Sequence, residues 1–166
     1  MARTGLAVVD LSLVGRNGLE VVRELKQVHP QMPVLVLSMH SEEQYARRAF
    51  RAGAAGYITK DSSRVELAGA MAKVMGGGRY VSPALAERLA VDLNEDTDRP
   101  SHQALSDREF EVMCLLGSGK TVGQIAELLS LSDKTISTYR ARILEKMRFE
   151  TTVDVVRYVI ENKLTE

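Results

Sequence analysis

Thr121-Val-Gly-Gln-Ile-Ala-Glu-Leu-Leu-Ser-Leu-Ser-Asp-Lys-Thr-Ile-Ser-Thr-Tyr-Arg-Ala-Arg-Ile-Leu-Glu-Lys-Met147 is the stretch on which the fold of this sequence turns. Thr121 with Gln124 three residues on is a capping box, and Val122, Ile125, Ala126 and Leu129 repeat at helical spacing behind it. Ser130-Leu131 makes a short turn, and Ser132 caps a second helix that runs to Met147. Two helices joined in this way have helix-turn-helix spacing. Turning the second helix by about 100° per residue sends Ile136, Tyr139, Ile143, Leu144 and Met147 inward, and Lys134, Ser137, Thr138, Ala141 and Arg142 outward.

The outward face is small at its centre and cationic at its edge. Small side chains at Ser137 and Ala141 let a helix backbone sink into a major groove, where the hydroxyls of Ser137 and Thr138 reach base edges. Lys134, Arg140 and Arg142 reach flanking phosphates, and Thr135 lies on the same first turn. From Ser132 to Arg148 there are five basic residues (Lys134, Arg140, Arg142, Lys146, Arg148) and two acidic ones (Asp133, Glu145), a local charge of +3. An amphipathic helix with a merely solvated charged face has the same periodicity, so the wheel alone leaves both readings open.

Around this stretch, Ser106-x-x-Glu109 opens another helix through Val112 to Leu116, with Gly117 and Gly119 as its stop. Thr151 caps a last helix in which Val155, Val156, Val159 and Ile160 form an apolar stripe. Residues 105–166 thus read as four helices. Upstream, Leu6-Ala-Val-Val9 and Val34-Leu-Val-Leu37 are short unalternating apolar runs, the pattern of strands covered on both faces of a parallel sheet, and Gly56-Tyr-Ile58 is a third. Helical patterns separate them: Leu19, Val22 and Leu25; a Ser41-x-x-Gln44 box followed by Tyr45, Ala49 and Phe50; and Ser63-x-x-Glu66 followed by Val65, Leu67, Ala70, Met71 and Val74. This order implies a doubly wound α/β unit with right-handed crossovers over residues 1–81. Ser82-Pro83 starts a short helix with Leu85 and Leu89, and the acidic, polar run from Asp92 to Gln103 reads as the linker, so residues 82–104 join the two domains.

Twenty-two basic residues balance twenty-two acidic ones in the 166-residue chain, so nucleic-acid binding has to come from local clustering such as that at Ser132–Arg148. The single cysteine, Cys114, lies in an apolar helical run, which excludes a disulfide framework and reads as a small core residue. No run approaches a membrane span and no signal peptide opens the chain, so a cytoplasmic protein is expected. Three scattered histidines suggest no metal site. An α/β nucleotide enzyme is disfavoured, because no glycine-rich fingerprint follows a strand.

Asp10 ends the first strand, Ser38 ends the second and Lys60 follows the third, which would bring them together at the carboxyl edge of a parallel sheet. A carboxylate can attack phosphorus, a hydroxyl can hydrogen-bond a phosphoryl oxygen and an ammonium can neutralise it. Singly, each is equally a turn former, a cap or a solvated end residue.

Leu105-Ser-Asp-Arg-Glu109, Gly119-Lys-Thr121, Gln124-Ile-Ala126, Leu131-Ser-Asp-Lys-Thr-Ile-Ser-Thr-Tyr-Arg140 and Ile143-Leu-Glu-Lys-Met147 resemble the signature of the LuxR-type DNA-binding domain of NarL/FixJ-family response regulators. Val9-Asp10-Leu-Ser-Leu, Gly15-x-x-Gly18-Leu-Glu20, Val36-Leu-Ser38 and Ala52-Gly-Ala-Ala-Gly-Tyr-Ile-Thr-Lys60 resemble the second half of a receiver domain, with Val14 where proline is usual. The resemblance implies a flavodoxin-like receiver followed by the helical domain, and a regulator without an enzymatic activity of its own. It implies Asp10 as phospho-acceptor, Ser38 and Lys60 as phosphoryl-binding groups and Tyr57 as the switch aromatic. For partners it implies double-stranded DNA, a sensor histidine kinase and a second copy bound through Thr151–Leu164. Receivers hold Mg²⁺ with an acidic pair on an earlier strand. With that pair absent, Asp10 is expected to be an incomplete magnesium site, the domain a receiver truncated at its N-terminus, the first strand a sheet edge and the first ~80 residues unstable alone. A regulator that pairs with full-length relatives without being phosphorylated is the alternative.

Overall fold

The computed structural model describes residues 5–13, 16–92 and 101–165, apart from the side chains of Glu43 and Asp92. It divides into two compact units, Met1–Asp96 and Thr97–Glu166. The expected linker falls mostly on residues 93–100, outside the described residues.

The first unit is built on a parallel sheet of β1 (Ala7–Asp10), β2 (Val34–Ser38) and β3 (Gly56–Thr59) in the order β1-β2-β3. The register pairs Val9 with Val36 and Val36 with Tyr57. Helices α1 (Gly18–Val28) and α2 (Glu42–Ala52) pack on each other, α1 also against β1 and α2 against β3. Helix α3 (Arg64–Met75) packs on β2 and β3, closing a core of Leu35, Ile58 and Ala70. Since successive strand residues face opposite sides, the apolar run of β2 is needed to fill both layers, and Val34, Leu35 and Val36 are all fully buried.

Strand β1 lies at one edge of the described sheet, as expected of the first strand, and its apolar run is only partly covered. Val8 is half exposed, because it lies on the face that α3 covers only over β2 and β3. Val65, expected in the α3 core stripe, is also exposed, while Ala70 and Val74 are buried. Ser41 occupies the cap position of α2 but makes no side-chain capping bond, and the Gln44 N–H donates to the Ser41 carbonyl instead. Ser63 caps α3, yet its expected partner Glu66 turns away to accept from the Tyr80 hydroxyl at 3.0 Å. Helix α4 (Pro83–Asp92) follows, with Leu85 buried.

The second unit opens with a 3-10 turn, His102–Ala104, followed by α5 (Asp107–Gly117), α6 (Val122–Leu129), α7 (Asp133–Met147) and α8 (Thr152–Glu161). Both expected capping boxes form completely, Ser106 with Glu109 and Thr121 with Gln124. Each satisfies two otherwise unpaired backbone donors, and a cap of this type is worth about 1 kcal/mol. Ser130 takes a left-handed conformation (φ 54°, ψ 44°) that ends α6, and Ser132 caps α7, so only three residues separate the two helices. Helix α5 is the centre of the unit and packs against α6, α7 and α8. In α8 the expected single stripe divides: Val155 and Val159 are buried, Val156 is half-buried and Ile160 is exposed, as is Val153 outside the stripe. Cys114 is partly buried.

Candidate nucleic-acid interface and receiver edge

Helix α7 is fixed from within by Ile136, Ile143 and Met147, all buried, as its periodicity predicts. A helix held along that line presents Lys134, Thr138, Ala141 and Arg142 to solvent, with Thr135 and Arg140 half-buried on either flank. Ser137 differs from expectation. It is half-buried rather than exposed, since it sits one residue from Ile136 and two turns from Leu144, on the side where α7 begins to turn inward. Tyr139 is also half-buried, and instead of pointing only into the core it lines an open depression with Lys134, Thr135, Thr138 and Arg142. Two cations and three hydroxyls thus border one concavity on the outer flank of α7. The Thr138 hydroxyl donates to the Lys134 carbonyl at 2.9 Å, which orients it and leaves its oxygen lone pairs outward as acceptors.

The far end of α7 is tied to α5. Glu109, almost fully buried, accepts from the Ser106 backbone N–H at 2.8 Å and from the Lys146 ammonium at 2.7 Å. Burial alone would raise the Glu109 pKa, but Lys146 and Ser106 outweigh it and hold the carboxyl below its ordinary value. A carboxylate with a depressed folded pKa contributes stability above its unfolded pKa, and that contribution is lost as pH falls through the folded value. Glu109→Gln is therefore expected to lower the stability of the helical unit at pH 7 by about 1–3 kcal/mol, the usual range for a charge-assisted hydrogen bond. Urea titrations at pH 7 and pH 3 check this: the gap between the two proteins should narrow in acid, and an equal gap at both pH values would remove the ionic link.

In the first unit the carboxyl edge of the sheet brings Asp10 and Lys60 into an ion pair through Asp10 Oδ2 and Lys60 Nζ. Asp10 Oδ1 accepts from the Ser12 N–H at 2.8 Å. Burial pushes the Asp10 pKa up, but the Lys60 ammonium and the Ser12 N–H together bring it below the ordinary carboxylate value. Ser38 is fully buried; its carbonyl accepts from the Lys60 N–H at 2.8 Å and its hydroxyl accepts from the His40 N–H at 3.0 Å. Tyr57 lies inward, fully buried, with its hydroxyl donating to the His40 carbonyl at 2.8 Å. Sequence reasoning did not single out Gly18 as part of this edge. A Cβ on Gly18 would lie 2.7 Å from the Asp10 carbonyl oxygen and 2.6 Å from the Leu11 Cα, so only glycine lets the start of α1 press against the end of β1. Its place in the Gly15-x-x-Gly18 pattern was the available signal.

A magnesium ion requires an octahedron of oxygen ligands. Both Asp10 oxygens are already engaged, and no group of three or more His, Cys, Asp or Glu side chains among the described residues is placed to hold a metal. These residues do not fit the ion by themselves. No described helix is long and apolar enough to cross a membrane.

The response regulator receiver domain model matches residues 1–72, and the model of bacterial regulatory proteins of the luxR family matches residues 103–159. The response regulator GacA of Pseudomonas protegens is 31% identical over 161 residues, covering 97% of this chain and 76% of that protein. The response regulator UvrY of Escherichia coli is 30% identical over 161 residues, covering 96% and 73%. Among solved structures, RcsB from Salmonella enterica serovar Typhimurium, bound to promoter rprA in the presence of phosphomimetic beryllofluoride, superposes with a TM-score of 0.58 at 24% identity. That alignment covers 92% of this chain and 73% of RcsB, and it bears on the fold.

Proposed function

The chain belongs to the response regulators that join a receiver domain to a LuxR-type DNA-binding domain, and from that membership we propose that α7 is the recognition helix of a cytoplasmic, dimeric transcription regulator. The observation that carries the assignment is the outer flank of α7, where Lys134, Thr135, Thr138, Tyr139 and Arg142 border one donor-rich concavity. Thr138 and Ala141 meet bases with Ser137 beside them, and Lys134, Thr135, Arg140 and Arg142 meet the backbone. The second copy packs on the outer side of α8, where Val153 and Ile160 are exposed.

Control comes from Asp10. Its carboxylate, held ionised by Lys60 and Ser12, attacks the phosphorus of a phosphoryl donor; the Oδ–P bond forms as the bond to the leaving group breaks. A sensor histidine kinase is the natural donor. The Lys60 ammonium, already paired with Asp10, neutralises the phosphoryl oxygens, and the Ser38 hydroxyl turns from His40 towards them. A second reading, control by pairing with another regulator without phosphate, is favoured by one observation, the engagement of both Asp10 oxygens with no metal-holding group among the described residues. Incubation with acetyl phosphate and Mg²⁺ followed by intact-mass measurement separates them. The expected result is a gain of one phosphoryl group that is lost in Asp10→Asn; an unchanged mass would leave the second reading standing.

A further inference from the structure

The contacts beyond Ser38 lead away from the sheet edge to the helix that precedes the DNA-binding unit in sequence. Residues 39–41 connect Ser38 to α2. This short segment is held at both ends of His40: the N–H donates to the Ser38 hydroxyl, and the carbonyl accepts from Tyr57. The His40 ring stacks on Tyr45 of α2, with ring centroids 4.6 Å apart. The next residue, Glu42, opens α2, and its Oε2 accepts a hydrogen bond from the Ser82 hydroxyl. Ser82 stands immediately before α4, and its hydroxyl oxygen in turn accepts from the Leu85 N–H at 3.2 Å.

A serine hydroxyl has one proton and two lone pairs. At Ser82 the proton is committed to Glu42 and a lone pair to the first turn of α4, so a single rotamer serves both. The chain just before it is anchored separately. Tyr80 donates its N–H to the Ala55 carbonyl at 2.9 Å, pairs alongside Gly56 and gives its hydroxyl to Glu66. With Tyr80 fixed to β3 and α3, a displacement of Glu42 falls on Ser82 and on the cap of α4.

We propose that the Glu42–Ser82 hydrogen bond is the joint through which the Ser38–Ser41 segment controls the first turn of α4. The trigger rests on the phosphoryl reading above. When the Ser38 hydroxyl turns to the phosphoryl group, the His40 N–H loses its acceptor, the segment shifts, and Glu42 withdraws from the cap. Helix α4 then frays at its start.

Hydrogen exchange on the full chain, followed in peptides covering Leu85 and Ala86, tests the joint without any phosphate. Glu42→Ala breaks the link but leaves Ser82 able to cap, Tyr57→Phe frees the His40 carbonyl, and the double variant closes the cycle. Glu42→Ala is expected to raise exchange in α4 roughly fivefold, the scale of a weakened cap. Tyr57→Phe should raise it by a smaller factor, and the double variant should exchange no faster than Glu42→Ala. Glu42→Gln, whose amide oxygen still accepts from Ser82, should restore protection. Multiplying effects in the double variant, or wild-type exchange in Glu42→Ala, would overturn the proposal. Should Glu42→Ala unfold the unit, seen as lost protection across β2, Ser82→Asp takes its place, since aspartate still caps but repels Glu42. Failure of Asp10 to take phosphate, read separately by mass, would remove the trigger and the phosphoryl reading while leaving the coupling between Tyr57 and α4 to stand or fall on the cycle.

Discussion

Replacing Lys134 and Arg142 together by alanine is expected to weaken binding to every DNA sequence alike, by about eightfold for each lost charge at 0.1 M salt. The figure follows from counterion release, in which each neutralised phosphate contributes about 0.9 to the slope of log affinity against log salt. The double variant should therefore lower the magnitude of that slope by nearly two units. Both side chains are exposed on the outer flank of α7 and far from its buried line of Ile136, Ile143 and Met147, so the fold should be unaffected. Thr138→Ala should behave differently, with the salt slope kept and discrimination between a selected operator and a scrambled duplex reduced by roughly 1–3 kcal/mol. Ser137→Ala should have a smaller effect than its spacing alone suggests, because Ser137 is half-buried. Titrations of both duplexes at several salt concentrations distinguish these outcomes. An unchanged slope in the double variant would mean that α7 does not meet the phosphate backbone.

What the sequence made legible followed local chemistry. The capping pairs at Ser106 and Thr121, the Ser130 turn and the spacing of Ile136, Ile143 and Met147 are determined within one or two helical turns, and they lie where the pattern places them. The meeting of Asp10 and Lys60, fifty residues apart, was legible because parallel strands deliver their ends to one edge. What was missed depends on which neighbour lies opposite. The Ser41 and Ser63 boxes were read from the same pattern as the complete ones. Yet Glu66 is drawn to Tyr80, and Ser41 lacks a side-chain bond, so a local motif competes with tertiary partners it cannot name. Val8 and Val65 are apolar residues that their local pattern assigns to the core, but Val8 lies beyond the part of the sheet that α3 packs on, and Val65 is exposed on the first turn of α3. In α8, four valines and isoleucines close together could not reveal that only Val155 and Val159 would be fully buried.

The contact between α5 and α8 also makes Gly117 the most sensitive glycine of the helical unit. A Cβ at Gly117 would lie 2.3 Å from Val159 Cγ1, 2.5 Å from its Cβ and 2.7 Å from its Cγ2. A new rotamer at Val159 moves the methyl groups but not the Cβ, so relief requires α8 itself to shift. Overpacking of this kind costs about 1–3 kcal/mol and sometimes more, and in a unit of this size each 1 kcal/mol lowers the melting temperature by about 4–8 °C. Gly117→Ala is therefore expected to lower the melting temperature of the helical unit by on the order of 10–20 °C. Val159→Ala in the same chain should recover only part of the loss, because its Cβ remains. Gly123 is the control. It lies within α6 with nothing within 4 Å of its Cβ position, so Gly123→Ala should stabilise the unit by up to about 1 kcal/mol through helix propensity. Opposite signs at two helical glycines of one unit cannot come from propensity alone. Thermal unfolding of the single variants reads the difference directly, and a Gly117→Ala protein that melts with the wild type would show that α5 and α8 do not meet as closely as Val159 requires. On the proposed dimer through α8, where Val153 and Ile160 are exposed, the same shift should also weaken self-association, measured by sedimentation as a function of concentration at a temperature where the variant remains folded.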